Sequence, residues 1–213
     1  MKLTISILIF FTLIFGSGVG VYHSSIPKIG TSVIAPKMGK SVGGTDAAIL
    51  IPDDLSNSQR KILNFAYKTS KEDGHKHPEL LQAILLQESK AGGMKSYKVA
   101  GQEFGLKSNE RYYGVSQIKL GATRDVLKVF PELMSKHKLQ TDTDEEIIAH
   151  LIMNDEFNIE VASKYLILLS RQSKDTNFII AAYNKGAGGA RSVGDDIVNL
   201  DYVKKVKLFM SKL

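Results

Sequence analysis

The sequence predicts an all-α fold, and three observations support this prediction. From Pro52 onward the apolar residues recur at the spacing of amphipathic helices, and no convincing run of alternating apolar and polar residues indicates a strand. Capping patterns precede several of these segments. The 213 residues are 43% hydrophobic and 23% charged, which is typical of globular chains and excludes a disordered, collagen-like or multi-span membrane protein. We therefore expect six or seven helices around one core.

The first two helices are predicted from their start signals. Ser56 or Ser58 is expected to cap a helix that runs to about Ser70. Pro78 stands where a first-turn proline belongs, ahead of a helix over residues 79–90. Both helices carry apolar residues on one side, so each is expected to bury that side.

The remaining helices are predicted in the same way. Thr143 and Glu146 form a capping-box pattern ahead of an apolar helix, and Asp201 is expected to cap the last helix. The helix after Asp201 is predicted at residues 202–213. Three further helices are predicted at about residues 122–131, 157–170 and 177–185. Two histidines before Pro78, His75 and His77, have no acidic neighbours at ligand spacing and are expected on the surface.

The chain is predicted to have three parts. Residues 1–20 begin with Lys2, continue as an apolar run and end in small residues, which is typical of an export signal that is either cleaved or kept as a membrane anchor. Residues 21–51 contain several Gly and Pro residues without a helical period and are predicted to be a linker. Residues 52–213 form the predicted helical domain. The protein is therefore expected outside the cytoplasm, in the periplasm or cell envelope.

The charge distribution limits the classes of partner. The formal net charge of +6 divides into +3 in residues 1–51 and +3 in residues 52–213. No basic run interleaved with aromatic residues is present, so no nucleic-acid partner is expected. The domain's weak positive charge suits a polyanion such as a cell envelope. The chain has no cysteine, which excludes disulfides, a thiol nucleophile and cysteine metal sites.

Glu88 occupies an unusual position for a glutamate. In the helix over residues 79–90 it follows Leu81, Ile84 and Leu85 on the same apolar stripe. A carboxyl held against apolar side chains has a raised pKa, which suits an acid that protonates a glycosidic oxygen. The alternative is a glutamate at a helix end that turns to solvent or pairs with Lys90.

Four short motifs extend this observation and resemble a known enzyme family. Residues 87–92, Gln-Glu-Ser-Lys-Ala-Gly, are similar to the motif around the catalytic acid of lytic transglycosylases and goose-type lysozymes. Residues 114–118, Gly-Val-Ser-Gln-Ile, resemble the family's Gly-Leu-Met-Gln-Ile, although Ser116 replaces the usual Met or Phe. Asn-Ile at 158–159, with Tyr-Leu at 165–166, and Ala-Tyr-Asn-Lys-Gly at 182–186 resemble the remaining motifs.

The resemblance implies a lysozyme-like helical domain with a groove for glycan, and it implies roles for five residues. Glu88 would be the general acid and then the base. Gln117 would line the groove and bind N-acetyl groups, or else brace its loop. Tyr183 would orient Glu88, or be a core tyrosine bonded to a nearby carbonyl. Ser89 and Asn184 would contact the substrate, or serve the backbone around them. No metal or organic cofactor is expected.

The implied reaction is the cleavage, without water, of the β-1,4 bond between N-acetylmuramic acid and N-acetylglucosamine in peptidoglycan. The muramic acid's C6 hydroxyl would close on C1 and leave a 1,6-anhydro end. Two alternatives stay open: a muramidase, for which Glu103 and Glu110 are the nearest candidate bases, and a wall-binding assembly protein that does not cut. The expected partners are glycan strands, a membrane at residues 1–21, and envelope-spanning or phage assemblies.

Overall fold

The computed structural model describes residues 55–94, 98–101 and 107–213. The predicted export segment, the linker and Glu103 lie outside these ranges. The described chain is mainly helical, which confirms the predicted helical fold. Its helices are α1 Asn57–Glu72, α2 Glu79–Ser89, α3 Leu120–Val129, α4 Glu132–Lys136, α5 Asp144–Met153, α6 Asp155–Gln172, α7 Thr176–Val193 and α8 Asp201–Met210. Short 3₁₀ helices span Ser108–Glu110 and Gly194–Asn199. No helix in these ranges combines the length and hydropathy needed to cross a membrane.

The start of α1 agrees with its predicted cap. Ser56, rather than Ser58, is the N-cap, and its Oγ accepts a hydrogen bond from the Gln59 backbone N–H at 3.3 Å. The Gln59 side chain in turn accepts from the Ser56 backbone N–H at 3.0 Å, which completes a capping box. Two of the orphan donors at the helix start are thereby satisfied.

The caps of α5 and α8 differ from the predictions. Thr143 caps α5, but the reciprocal bond is missing because the Glu146 carboxylate accepts from the backbone N–H groups of Gln140 and Thr141, each at 2.6 Å. These bonds fasten the preceding loop to the helix start. Asp201 is the first residue of α8 instead of its cap, and Leu200 at the cap position offers no side-chain acceptor.

A small antiparallel sheet corrects the expectation that strands are absent. The strands β1 Val99–Ala100, β2 Tyr112–Tyr113 and β3 Ile118–Lys119 pair in the order β1-β2-β3. Each has only two residues, so none can show the alternation by which strands are predicted. The sheet matters because the segment between β2 and β3 lies beside the candidate site.

The helix α6 lies between two apolar cores. Its residues Ile159, Ala162 and Leu166 belong to a core shared with α1, α2, α7 and α8. On another side, its Phe157 and Val161 belong to a second core with α3, α4, α5 and the sheet. The expectation of one core is therefore too simple. The first core surrounds α2, and it positions the candidate catalytic residue.

Candidate active site

Glu88 lies in the last turn of α2, at the edge of the first core. Residues 80–86 of this helix are all buried, and Leu81, Ile84 and Leu85 are completely inaccessible to solvent. Glu88 itself is partly exposed. The predicted apolar stripe is therefore present, and it ends at a partly exposed glutamate whose carboxyl is largely removed from water.

The surroundings of Glu88 change its acidity. Burial raises the pKa of Glu88 from 4.5 to about 7, and a hydrogen bond from Tyr202 acts in the opposite direction. The Tyr202 hydroxyl donates to Glu88 Oε1 at 2.5 Å. Lys90, the alternative partner, is exposed and forms no ion pair with Glu88. Near neutral pH both the protonated and the ionised form of Glu88 are therefore accessible.

Tyr202 reaches Glu88 from the first turn of α8. This helix packs along α2, with Val203 and Val206 completely buried between them. Burial and the nearby Glu88 carboxylate raise the pKa of Tyr202 well above its ordinary value, so its hydroxyl remains a donor at physiological pH. The sequence analysis did not identify Tyr202 as a site residue. Its only sequence signal is its place on the apolar side of α8.

The turn between β2 and β3, residues 114–117, is fixed by a buried asparagine. Asn158 Oδ1 accepts from the Ser116 backbone N–H, and its Nδ2 donates to the carbonyl of Tyr113, both at 2.8 Å. Gly114 has a φ of +67°. A Cβ there would lie 2.3 Å from Asn158 Nδ2 and 2.3 Å from a carbonyl oxygen of α5, so only glycine fits.

Ser89 joins this turn to α2. It is completely buried, and its Oγ donates to the carbonyl of Val115 at 2.7 Å and accepts from the Gly92 backbone N–H at 3.0 Å. The side chain predicted to contact substrate or its own helix therefore faces the interior. Its role in the structure is to hold the turn against the helix end that carries Glu88.

Gln117 also braces the turn. Its side-chain Nε2 donates to the carbonyl of Gly114 at 2.8 Å, and the residue is 9% exposed with a φ of +49°. The side-chain amide of Gln117 therefore braces its own loop, which is the alternative role considered from the sequence. Its contact with an N-acetyl group stays a prediction.

Tyr183 does not donate to Glu88, contrary to the expected orienting role. Its hydroxyl donates to the carbonyl of Ser116 at 2.9 Å, and its ring lies 5.7 Å from that of Tyr165. Burial and the nearby Glu88 carboxylate raise the pKa of Tyr183 above its ordinary value. Tyr183 thus holds the turn beside Glu88, while Tyr202 makes the bond that was expected of it.

Asn184 follows at the surface. It is exposed, and two residues later Gly186, with a φ of 74°, interrupts the helical geometry of α7. The Ala-Tyr-Asn-Lys-Gly motif therefore combines a partly buried tyrosine with a break in the helix. The contact of Asn184 with substrate stays a prediction.

Two other candidate groups have local partners. The exposed Glu110 accepts from the Lys107 backbone N–H at 3.0 Å, which ties it to its own 3₁₀ turn. His75 is not a simple surface residue, because it is partly buried and its Nε2 lies 2.9 Å from Ser163 Oγ. Within the described ranges, no group of three His, Asp or Glu side chains is placed to bind a metal ion.

A cavity between α1, α4 and α6 lies away from Glu88. It has a volume of about 320 Å³ and is lined by charged side chains of α1, α4 and α6, among them Glu72, Lys136 and Glu160. Lys136 pairs with Glu160 at 2.8 Å, and Lys164 with Asp73 at 2.7 Å. These charges therefore satisfy one another, and the cavity contains none of the residues around Glu88.

The site thus consists of one carboxyl of raised pKa, a tyrosine that donates to it, and a turn that α2, α6 and α7 hold beside it. Comparison of the chain with protein-family models, with curated protein sequences and with solved structures gave no match.

Proposed function

We propose that the protein is an exported peptidoglycan lytic transglycosylase with a lysozyme-like fold and that Glu88 is its catalytic acid. The observation that carries the proposal is the state of Glu88: its pKa is raised to about 7 and its carboxyl is bonded to Tyr202. A carboxyl of this acidity can be protonated at the start of a reaction and ionised later in the same cycle.

The contacts among the four motifs also support the proposal. Ser89 bonds the turn at 114–117, Asn158 bonds the same turn from α6, and Tyr183 bonds it from α7. Residues that lie up to about a hundred positions apart in the sequence therefore meet at one place, beside Glu88. A set of unrelated sequence coincidences would not be expected to converge in this way.

In the proposed mechanism a single carboxyl serves twice. Glu88 first gives its proton to the glycosidic oxygen as the muramic acid ring gains positive charge at C1. The resulting carboxylate then takes the proton of the C6 hydroxyl, whose oxygen bonds to C1 and closes the 1,6-anhydro ring. Tyr202 holds Oε1, which leaves Oε2 for the proton that is transferred. Tyr202 also stabilises the carboxylate between the two steps.

We prefer transglycosylation to hydrolysis because the described residues offer no suitable second carboxylate to activate water. An inverting hydrolase needs a second carboxylate about 6.5–9.5 Å from the acid to activate water. Glu110 is exposed and bound to its own turn, which does not suit that role. Glu103 lies outside the described residues, so its variant belongs in the experiment.

The experiment is the digestion of purified sacculi, followed by mass spectrometry of the released muropeptides. The wild-type protein is expected to release products with 1,6-anhydro ends, which lack the mass of one water. Glu88→Gln should lose more than nine-tenths of the rate, a barrier increase above about 1.4 kcal/mol. The fold should be retained, because the amide has the shape of the carboxyl and still accepts from Tyr202.

Glu110→Gln is the matched control, since it makes the same chemical change at an exposed carboxylate. It should keep the wild-type rate. Retention of more than about a tenth of the rate by Glu88→Gln would refute the assignment. Products with reducing ends, together with loss of activity in Glu103→Gln or Glu110→Gln, would establish the muramidase instead. Sacculus binding without any released product would favour the wall-binding assembly protein.

A further inference from the structure

The positive charge of the predicted domain is concentrated on α8 and the three residues after it. Residues 201–213 contain four lysines, Lys204, Lys205, Lys207 and Lys212, and one acidic residue, Asp201. They carry a formal net charge of +3, which is the whole net charge of residues 52–213, so the rest of that segment has no net charge. The weak overall charge of the domain is therefore concentrated on one basic helix and the residues that follow it.

Three of the four lysines share one side of this helix. At 100° per residue Lys204, Lys205 and Lys207 fall within an arc of about 160°, together with Leu208. Ser211 and Lys212 follow in the turn after the helix end. We call the surface formed by these residues the lysine face. The opposite side packs against α2 and carries the buried Val203 and Val206 and the residue bonded to Glu88, Tyr202. The helix is therefore divided into an apolar inner side and a basic outer side.

The four lysines form no ion pair with a described residue, and all four are exposed. The one acidic residue of α8, Asp201, lies on the same side in the first turn of the helix. By contrast, Lys98, Lys136 and Lys164 each pair with an acidic side chain at 3.0 Å or less. Leu208 lies near the centre of the lysine arc with 53% of its surface exposed. The face thus presents exposed, unpaired lysines around one exposed apolar side chain.

We propose that the lysine face docks the domain on an anionic lipid bilayer. The lysines lie at the level of the headgroups, and Leu208 inserts between them. Basic residues around an apolar side chain on one helix face are the features that bind membrane interfaces. This contact adds to any membrane binding by the apolar run in residues 3–15, and two weak anchors together bind far more tightly than either alone. The inference does not depend on the proposed reaction.

A lipid surface fits this face better than a soluble polyanion. The face is convex, so it offers no groove to follow an extended polymer. Its cations are lysines rather than arginines, and among its residues no aromatic side chain is present for stacking on a base or sugar. An exposed leucine at its centre adds nothing to binding a hydrated polymer, whereas in a bilayer it reaches apolar surroundings.

The first test uses the full chain with vesicles of phosphatidylcholine, with or without 30% phosphatidylglycerol. Lys→Gln at all four positions of the face keeps good helix formers. It should weaken the binding gained from phosphatidylglycerol at least tenfold, without changing the unfolding temperature. The matched control is Lys→Gln at four exposed lysines elsewhere, Lys61, Lys71, Lys76 and Lys128, which removes the same charge. It should weaken that binding less than threefold.

The second test observes the face directly, even if residues 3–15 bind every vesicle. Because the chain has no cysteine, Ser211→Cys provides a single site for an environment-sensitive fluorophore. Its emission should shift to the blue with phosphatidylglycerol vesicles, and the four Lys→Gln changes should abolish the shift. The same fluorophore at the exposed Asn64, on α1, should not respond.

Three results would overturn the proposal. If the two quadruple Lys→Gln variants weaken vesicle binding equally, the binding depends only on net charge and not on the lysine face. An unchanged emission at position 211, or an equal change at position 64, would show that the face does not meet the bilayer. Binding of soluble polyphosphate as tight as that of vesicles, unaffected by Leu208→Asn, would assign the face to a soluble polyanion.

Discussion

Replacing Glu88 with glutamine should stabilise the folded protein at neutral and alkaline pH. The folded pKa of Glu88, about 7, lies above the value of 4.5 expected in the unfolded chain. Between these two values the folded state holds more protons than the unfolded state, so the carboxyl costs stability as the pH rises. A glutamine at this position cannot ionise, and its side-chain oxygen can still accept from Tyr202.

The size of the effect follows from the shift. Each pKa unit corresponds to about 1.4 kcal/mol, so the full shift corresponds to about 3 kcal/mol of unfolding free energy above pH 7. Because the Glu88 residue is partly exposed, water near it reduces this cost, and we expect roughly 2 kcal/mol at pH 8. At pH 4 both side chains are neutral, and the two proteins should be about equally stable.

The assay is urea unfolding of the wild type and Glu88→Gln at pH values from 4 to 8. The difference in unfolding free energy should grow between pH 4.5 and 7 and then stay constant. Glu145→Gln is the control, because it makes the same chemical change at an exposed carboxylate. A difference between wild type and Glu88→Gln that stays flat within about 0.5 kcal/mol would contradict the assigned environment of Glu88, and this result is independent of the proposed activity.

Three further predictions concern the groups around this site and the fold. Tyr202→Phe removes the bond that lowers the pKa of Glu88, so the falling limb of the pH–rate profile should move to higher pH and the rate should drop roughly tenfold; an unchanged profile would contradict the bond. Burial lowers the pKa of His75 below 6.5, and the opposing effect of Asp73 is smaller. Because the unfolded chain then binds a proton more readily than the folded one, the folded protein should lose stability as the pH falls below 6.5. His75→Gln should reduce that loss in urea unfolding, and equal losses would contradict it. Gly114→Ala should cost at least about 2 kcal/mol, because its Cβ would overlap Asn158; Gly194→Ala, with the same sign of φ but open space, should cost less by the same measurement.

The helices could be predicted because their signals are local. The bond between Ser56 and Gln59 and the break before Pro78 each involve a few neighbouring residues, and the structure retains both. Where a local signal had a competitor, the prediction failed in detail. The Glu146 side chain bonds Gln140 and Thr141 instead of the cap residue, because the loop before α5 folds back over the helix start.

The candidate site was only partly predictable, since its central contact is not local. The position of Glu88 follows from the helical period, but the bond from Tyr202 joins residues 114 positions apart. No pattern within α8 indicates which helix it packs against. Tyr183, which the motif favoured for the same role, bonds a turn whose geometry depends on Asn158 and on strands of two residues each. Packing between helices therefore decided which tyrosine meets the acid.

The choice of tyrosine has a consequence for the proposed chemistry. An acid that must later act as a base needs a pKa between the extremes that burial and ion pairing would each produce. Burial alone would favour the neutral form of Glu88, and a lysine or arginine partner would hold it ionised. A neutral hydroxyl that donates to the carboxyl opposes burial without adding a charge, and its own raised pKa keeps its proton in place. Tyr202 therefore suits Glu88 to both proton transfers, and replacing it with a cation should remove the first of them.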